Sequence, residues 1–177
     1  SSNSVAIGPY AGYQDQSDNC IAIGFQAGYE KQSAKAVSIG YQAGKFRQDL
    51  SAVAIGPGAG WTDQSYNAVA VGSGAGNWNQ GHSSVAVGRR AGHIDQSNNS
   101  VAIGPFAGRV RQNPNSIAIG YEAGDTDQSS NAIAIGNTAG QSNQGADSIA
   151  IGNSAGQTNQ AANGIIINSG GDALNDT

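Results

Sequence analysis

Apolar residues arrive in one short burst every 16 residues, always in the same order. The first is Val5-Ala6-Ile7, the next Ile21-Ala22-Ile23, and the series runs through Val85-Ala86-Val87 to Ile149-Ala150-Ile151. β-Branched residues alternating with a small one at period two predict a short strand. A glycine closes every burst, from Gly8 and Gly24 to Gly152, where tolerance of positive φ lets the chain turn. A helix is excluded, because two or more glycines per unit and no 3.6-residue stripe leave nothing to propagate it.

The rest of the unit is as regular. An Ala-Gly pair follows each burst, from Ala11-Gly12 to Ala155-Gly156. The segment Gly12 to Gln16 and its equivalents predict a second, weaker strand. Its Asp15 place reads Asp, Lys, Arg, Asp, Asn, Asp, Arg, Asp, Asn, Asn down the repeats, which marks a solvated face. Its last place is invariant: Gln16, Gln32, Gln48, Gln64, Gln80, Gln96, Gln112, Gln128, Gln144 and Gln160. Stacked strands lie about 4.8 Å apart, and identical amides at that spacing can bond along the stack as a ladder, which permits their burial. Ten repeats pass without insertion, so the connections also stack turn on turn. The expected fold is all-β, a parallel β-solenoid of about ten 16-residue turns over residues 1–163, roughly 50 Å long. A terminal turn and tail follow at 164–177.

Both faces of the Val-Ala-Ile strand read as buried. Val5 and Ile7 share one face; Ala6 starts the other, where every repeat keeps Ala except for Ser38 and the terminal Ile166. A single roll has one interior, so the second face requires another chain. Parity alone leaves open which face lines the roll. The alternative is a monomer with a flat face open to water; ice binding is disfavoured by the lack of a Thr column.

Composition adds exclusions. Charged residues are 11% and net charge is −4, which argues against a nucleic-acid footprint. No apolar run is long enough to enter a bilayer as a spanning helix. Absence of Met suggests a processed or partial chain, and with no visible signal peptide secretion is not read directly from the sequence. Cys20 falls where other repeats carry Ser or Ala, and reads as a small residue in a tight slot.

The unit Ser4-Val5-Ala6-Ile7-Gly8, repeated with Ala and Gly following, resembles the head repeats of trimeric autotransporter adhesins. The resemblance covers Ser4 to about Asn163. It implies a left-handed parallel β-roll, a homotrimer and an adhesive role at a bacterial surface. The 16-residue unit is longer than the usual adhesin repeat. In this, and in closing on Gly164-Ile165-Ile166-Ile167-Asn168 and then Ala173-Leu174-Asn175, it is similar to repeat regions of viral and phage fibres. Such repeats precede a self-cleaving chaperone domain in those fibres; the sequence contains none, so no proteolytic activity carries over.

Candidate chemistry is sparse. Gly56-Pro57-Gly58-Ala59-Gly60 lacks the following helix and Lys of a phosphate loop. His93 and Asp95 would share a strand face, yet no nucleophile joins them; His82 reads as a surface residue. No metal-site spacing occurs, no cofactor is expected, and an ion held inside by Gln or Asn columns stays open. Two Asn-X-Ser/Thr sequons, Asn98-Asn99-Ser100 and Asn175-Asp176-Thr177, carry little weight in so Asn-rich a chain.

The variable places are more informative. Every aromatic lies between Tyr10 and Tyr121 and every Lys or Arg between Lys31 and Arg111. The candidate ligand-binding residues Tyr29, Trp61, His93 and Arg109 occupy one column, which begins at Tyr13. Trp61 and Tyr29 share parity with the charged place and are expected to face outward. Phe46 and Trp78 share parity with the Gln column and are expected to pack away from the outside, against a neighbouring chain.

The expected function is a structural and adhesive fibre segment, extracellular, on a virion fibre or bacterial surface. It would display a surface to a carbohydrate or protein receptor on a cell. Two alternatives remain: a non-binding spacer, favoured by the bland repeats beyond Tyr121, and a monomeric solenoid with a flat binding face. A polysaccharide-cleaving enzyme would need paired carboxylates in register, and the acids here are scattered, so no enzyme is expected.

Overall fold

The computed structural model describes residues 2–170, 172, 174 and 175. It is an all-β parallel solenoid, with no helix among those residues. One sheet takes one strand from each repeat, from Val5–Ile7 to Ile165–Asn168, eleven strands in all. The second has eight strands, from Gln14–Gln16 to Thr126–Gln128, and continues through bridges from Thr126 to Ser142 and Ser142 to Thr158. Pairing follows the repeat: Val85 meets Val101, Ala86 meets Ala102, and Gln80 meets Gln96. Turn residues stack as well, as where Arg90 N–H donates to the Ser73 carbonyl at 2.9 Å. An inserted residue would therefore break contacts everywhere in the turn.

The interior is the small face. Ala22, Ala54, Ala86 and Ala118 are fully buried, as are Ala27, Ala59, Ala91 and Ala123 of the Ala-Gly column. The Val and Ile side chains flank Ala on the outer surface and are half-buried or exposed. Between the sheets the largest side chains are the glutamines, with Gln32 to Gln144 at 1% exposure or less. Each Gln Nε2 donates to the Oε1 of the next Gln at 3.0–3.2 Å, for nine consecutive steps from Gln16 to Gln160. From Gln32 onward the same Nε2 also donates to a carbonyl of the opposite strand in its own turn, as Gln80 does to Val69 at 2.8 Å. The ladder thus ties turn to turn and sheet to sheet. Ser38 joins it by donating to Gln48 Oε1 at 2.6 Å.

Glutamine also explains a glycine column. A Cβ on Gly60 would stand 2.6 Å from Gln64 Oε1 and 3.2 Å from the Ala54 Cβ. The Gly8 column has a different cause: a Cβ on Gly88 would meet the Gly104 carbonyl carbon at 2.8 Å, and its φ is +126°. Cys20 fills a fully buried slot, with Sγ 3.0 Å from the Ser33 carbonyl. Burial raises its thiol pKa, so it is a poor nucleophile.

The second strand departs from the sequence expectation. Its central residue is left-handed in every repeat, with φ of +55° at Asp95 and +53° at Arg111. Only its first and third residues pair, as Trp78 with Ile94 and Gln80 with Gln96. Two-residue alternation therefore fails across it. Phe46 and Trp78 do not follow the glutamines inward: Phe46 is half-buried and Trp78 is 42% exposed.

At the far end the chain closes on itself. Ile166 replaces the interior Ala and packs against the Ala core. Leu174 bridges to Ala155, and Asn175 Oδ1 accepts the Thr158 N–H at 2.7 Å.

Replacing Gln80 by Leu keeps the volume but leaves Gln96 Oε1 without its donor and removes one bond each from Gln64 Nε2 and the Val69 carbonyl; it should cost about 3 kcal/mol or more in urea denaturation. Gly88→Ala should cost about 2–4 kcal/mol. Gly74→Ala, where the nearest atom to a new Cβ is 3.5 Å away, should cost only about 1 kcal/mol. Equal losses at the two glycines would remove the crowding argument.

Candidate functional site

The roll is thin, so everything larger than Gln is outside. On one edge the turn after the first sheet (the Pro9 and Tyr10 columns) meets the start of the second strand (the Tyr13 and Gln14 columns). Side chains of the Tyr13 column reach back one turn to the Tyr10 column. Asn77 Nδ2 donates to the Gly58 carbonyl at 2.6 Å, His93 Nδ1 lies 2.8 Å from the Gly74 carbonyl, and Gln141 Nε2 donates to Glu122 Oε2 at 2.7 Å.

Aromatic rings run continuously along the first five turns of this edge. Tyr13 and Tyr29 stack at 5.2 Å; Tyr29 meets Phe46 at 6.3 Å, Phe46 meets Trp61 at 5.7 Å, and Trp61 meets Trp78 at 4.6 Å, the last three edge to face. Lys45 Nζ lies 4.9 Å from the Phe46 ring centroid and 5.9 Å from those of Tyr29 and Trp61. The neighbouring column adds Phe25 stacked on Tyr41 at 5.6 Å.

Beyond Trp78 the edge turns cationic. Arg89 lies over the Phe106 ring at 4.5 Å and Arg109 beside it at 5.7 Å. Neither Arg89 nor Arg90 has an acidic partner among the described residues. Arg109 is paired with Asp125 at 2.9 Å. Asp125 is 7% exposed, and desolvation raises its carboxyl pKa in spite of the guanidinium. Only the carboxylate of the pair is buried, and the half-exposed guanidinium repays its desolvation cost in part.

All four sequence-predicted residues, Tyr29, Trp61, His93 and Arg109, lie in this column, and all are half-buried. The structure splits them between two environments: Tyr29 and Trp61 are in the ring ladder, while His93 and Arg109 are among the cations. His93 and Asp95 do not pair. Asp95 accepts from Asn79 Nδ2 at 2.8 Å, and His93 is held by Gly74. A carbonyl only accepts, so the His93 proton is on Nδ1, and burial lowers its pKa and favours the neutral ring. His82 is half-buried and stacked on Tyr66 at 5.1 Å. Sequence reasoning missed Lys45, Phe46 and Trp78 as members of the strip, and Arg89 and Arg90 at its cationic end. The clustering of rings and cations in the middle repeats was the signal.

The opposite rim of the second sheet carries the charged column. Arg47 is paired with Asp63 and Arg111 with Asp127 one turn on, each through two bonds, and Asn79 with Asp95 repeats the pattern. A shallow groove beside it is lined by Lys31, Arg47, Asp49 and Asp63. Among the described residues no three His, Cys, Asp or Glu come together. Set against known protein families, curated proteins and solved structures, the chain finds no match.

The arginines hold the Asp63 and Asp127 carboxyls below the ordinary value of 3.8. These pairs stabilise the fold fully above that value, and the contribution is lost as pH falls through the lowered pKa. Asp125, with its pKa raised, works in the opposite sense: its contribution belongs to low pH and is lost as pH rises. Arg47→Gln with Arg111→Gln should therefore lower the neutral plateau of a melting-temperature profile slightly and leave its most acidic points unchanged, which flattens the acid limb. An unaltered acid limb would show that the pairs contribute nothing.

Proposed function

We propose that the chain is a segment of a homotrimeric attachment fibre, displayed outside a cell or virion, whose variable edge meets a receptor. The observation that carries this reading is the outer face of the first sheet. Eleven rungs of paired Val and Ile lie there side by side, a band about 50 Å long at strand spacing. Ile55, Ile103, Ile135 and Ile151 are each 36–39% exposed in the single chain. A continuous apolar band of that length marks an interaction surface. The band follows the stacking direction and repeats at every rung. A partner that matches it rung for rung is another copy of the same chain, packed parallel about a common axis. That arrangement accords with the trimer implied by the adhesin resemblance.

With that face covered, the ring and arginine edge stays outside. Trp, Tyr and Arg are the residues on which binding energy concentrates, which supports an adhesive role over a plain spacer. The turns beyond Tyr121 lack such residues and serve as shaft. The scattered acids give no support to a catalytic reading.

Light scattering on the chain should give a mass near three chains. Val69→Asp with Val101→Asp should give one chain while preserving the β-sheet circular dichroism. A single-chain mass for the unsubstituted protein would overturn the trimer. Trp61→Ala with Trp78→Ala should keep the trimer but lower binding to receptor-bearing cells or to a glycan array by about tenfold or more. Unchanged binding would move the receptor site elsewhere on the rod.

A further inference from the structure

The Tyr10 column forms a ridge along the variable edge, and the ridge has a gap. Tyr10, then Gln26 bonded to Gln42 at 2.8 Å, then Arg90, Phe106 and Glu122 carry side chains outward. Gly58 and Gly74 alone leave it bare, over two rungs, or about 10 Å. Neither backbone conformation nor crowding requires glycine there. The column is left-handed at every rung, and Tyr10, Gln42, Arg90 and Phe106 adopt φ of +54° to +61° with side chains in place. A Cβ at Gly58 would find its nearest atom 3.4 Å away, and at Gly74 3.5 Å away, both ordinary contacts.

The notch has a definite lining. Along one side run Trp61, Asn77 and His93, successive members of one column. Asn77 donates its Nδ2 to the floor carbonyl of Gly58, which leaves Oδ1 as an outward acceptor. His93 is fixed through Nδ1 to the floor carbonyl of Gly74, which leaves Nε2 as a second acceptor. Arg90 closes the end, with no acidic partner among the described residues. Two fixed acceptors, an indole and a guanidinium therefore surround one bare floor. Hydroxyl donors, a ring face and an anionic group are the complement, and a sugar acid carries all three.

We propose that the Gly58–Gly74 notch is a subsite for an acidic sugar within a linear polysaccharide that lies along the rod. Its hydroxyls donate to Asn77 and His93, its ring sits against Trp61 and its carboxylate binds Arg90. This names the ligand class of the edge assigned above to attachment, and it rests on that reading. Single-stranded nucleic acid, which also uses rings and cations, fits less well. The ring ladder from Tyr13 to Trp78 holds one cation, Lys45, and the chain carries net charge −4, whereas a phosphate strand needs cations along its whole path.

The test uses the whole chain, with quenching of its two tryptophans and calorimetry as readouts, against oligogalacturonate, its methyl ester and oligothymidylate. Oligogalacturonate should bind and the ester should bind at least about tenfold more weakly, the worth of one charge-assisted contact. Arg90→Gln should reduce oligogalacturonate to the level of the ester. Gly58→Asn with Gly74→Asn, which fills the notch with a residue that accepts left-handed φ, should abolish both. Arg111→Gln, on the other rim, should change nothing. Oligogalacturonate binding that survives the filled notch would overturn the subsite, as would no binding of any sugar probe, or oligothymidylate binding lost in the same variants. Binding of the unsubstituted chain to receptor-bearing cells is measured in parallel. If cell binding persists while the sugar result fails, only the ligand class falls; if cells are not bound either, the attachment reading falls with it.

Discussion

Each interior glutamine bonds in two directions, once along the axis to the next turn and once across the roll to the opposite sheet. Those two bonds set the dimensions of the protein. The axial bond requires identical residues at every rung and forbids a change of register. The transverse bond fixes how close the sheets lie, and at that separation only Ala, Ser, Cys and Gly fit beside the amide. Gly60 has no Cβ because Gln64 occupies the space. The core is therefore held by hydrogen bonds and close contact more than by apolar area, since a buried Ala removes little surface from water.

A core without room for large side chains moves them outward. Val and Ile, which line the interior of most sheets, here form an external band. The aromatic rings stand on the edge. The same constraint that makes the interior uniform makes the exterior permissive: outward positions contact only the rungs above and below, so they vary without disturbing the stack. The asymmetry between constant columns and variable ones is the physical basis for reading the edge as the functional part.

The period, the strand, the Gln ladder and the buried Cys20 slot were legible in the sequence, because a column repeated ten times reports a single environment. Which face of the Val-Ala-Ile strand lies inside was not, since parity is symmetric and the decision belongs to the available volume. That Phe46 and Trp78 stay outside the roll although they share parity with the glutamines has a definite cause. The residue between each and its glutamine is left-handed, which breaks alternation. A trace of this was present, since that column is rich in Asp and Asn, the residues that best tolerate such a φ. The notch at Gly58 and Gly74 was hidden in a stretch read as part of the repeat. It becomes visible only once the Tyr10 and Tyr13 columns are known to touch.

The inter-turn bonds all point along the rod, and this gives the molecule a mechanical character. Tension between its ends loads the bonds of one turn at a time, in the manner of a zipper. A turn that releases trades about 4.8 Å of rod for 16 residues of extended chain, on the order of 50 Å. The neighbouring turns keep their own contacts while it does so. A tether built this way would yield under a sudden pull by lengthening stepwise, and could wind back onto the remaining stack when the load passes.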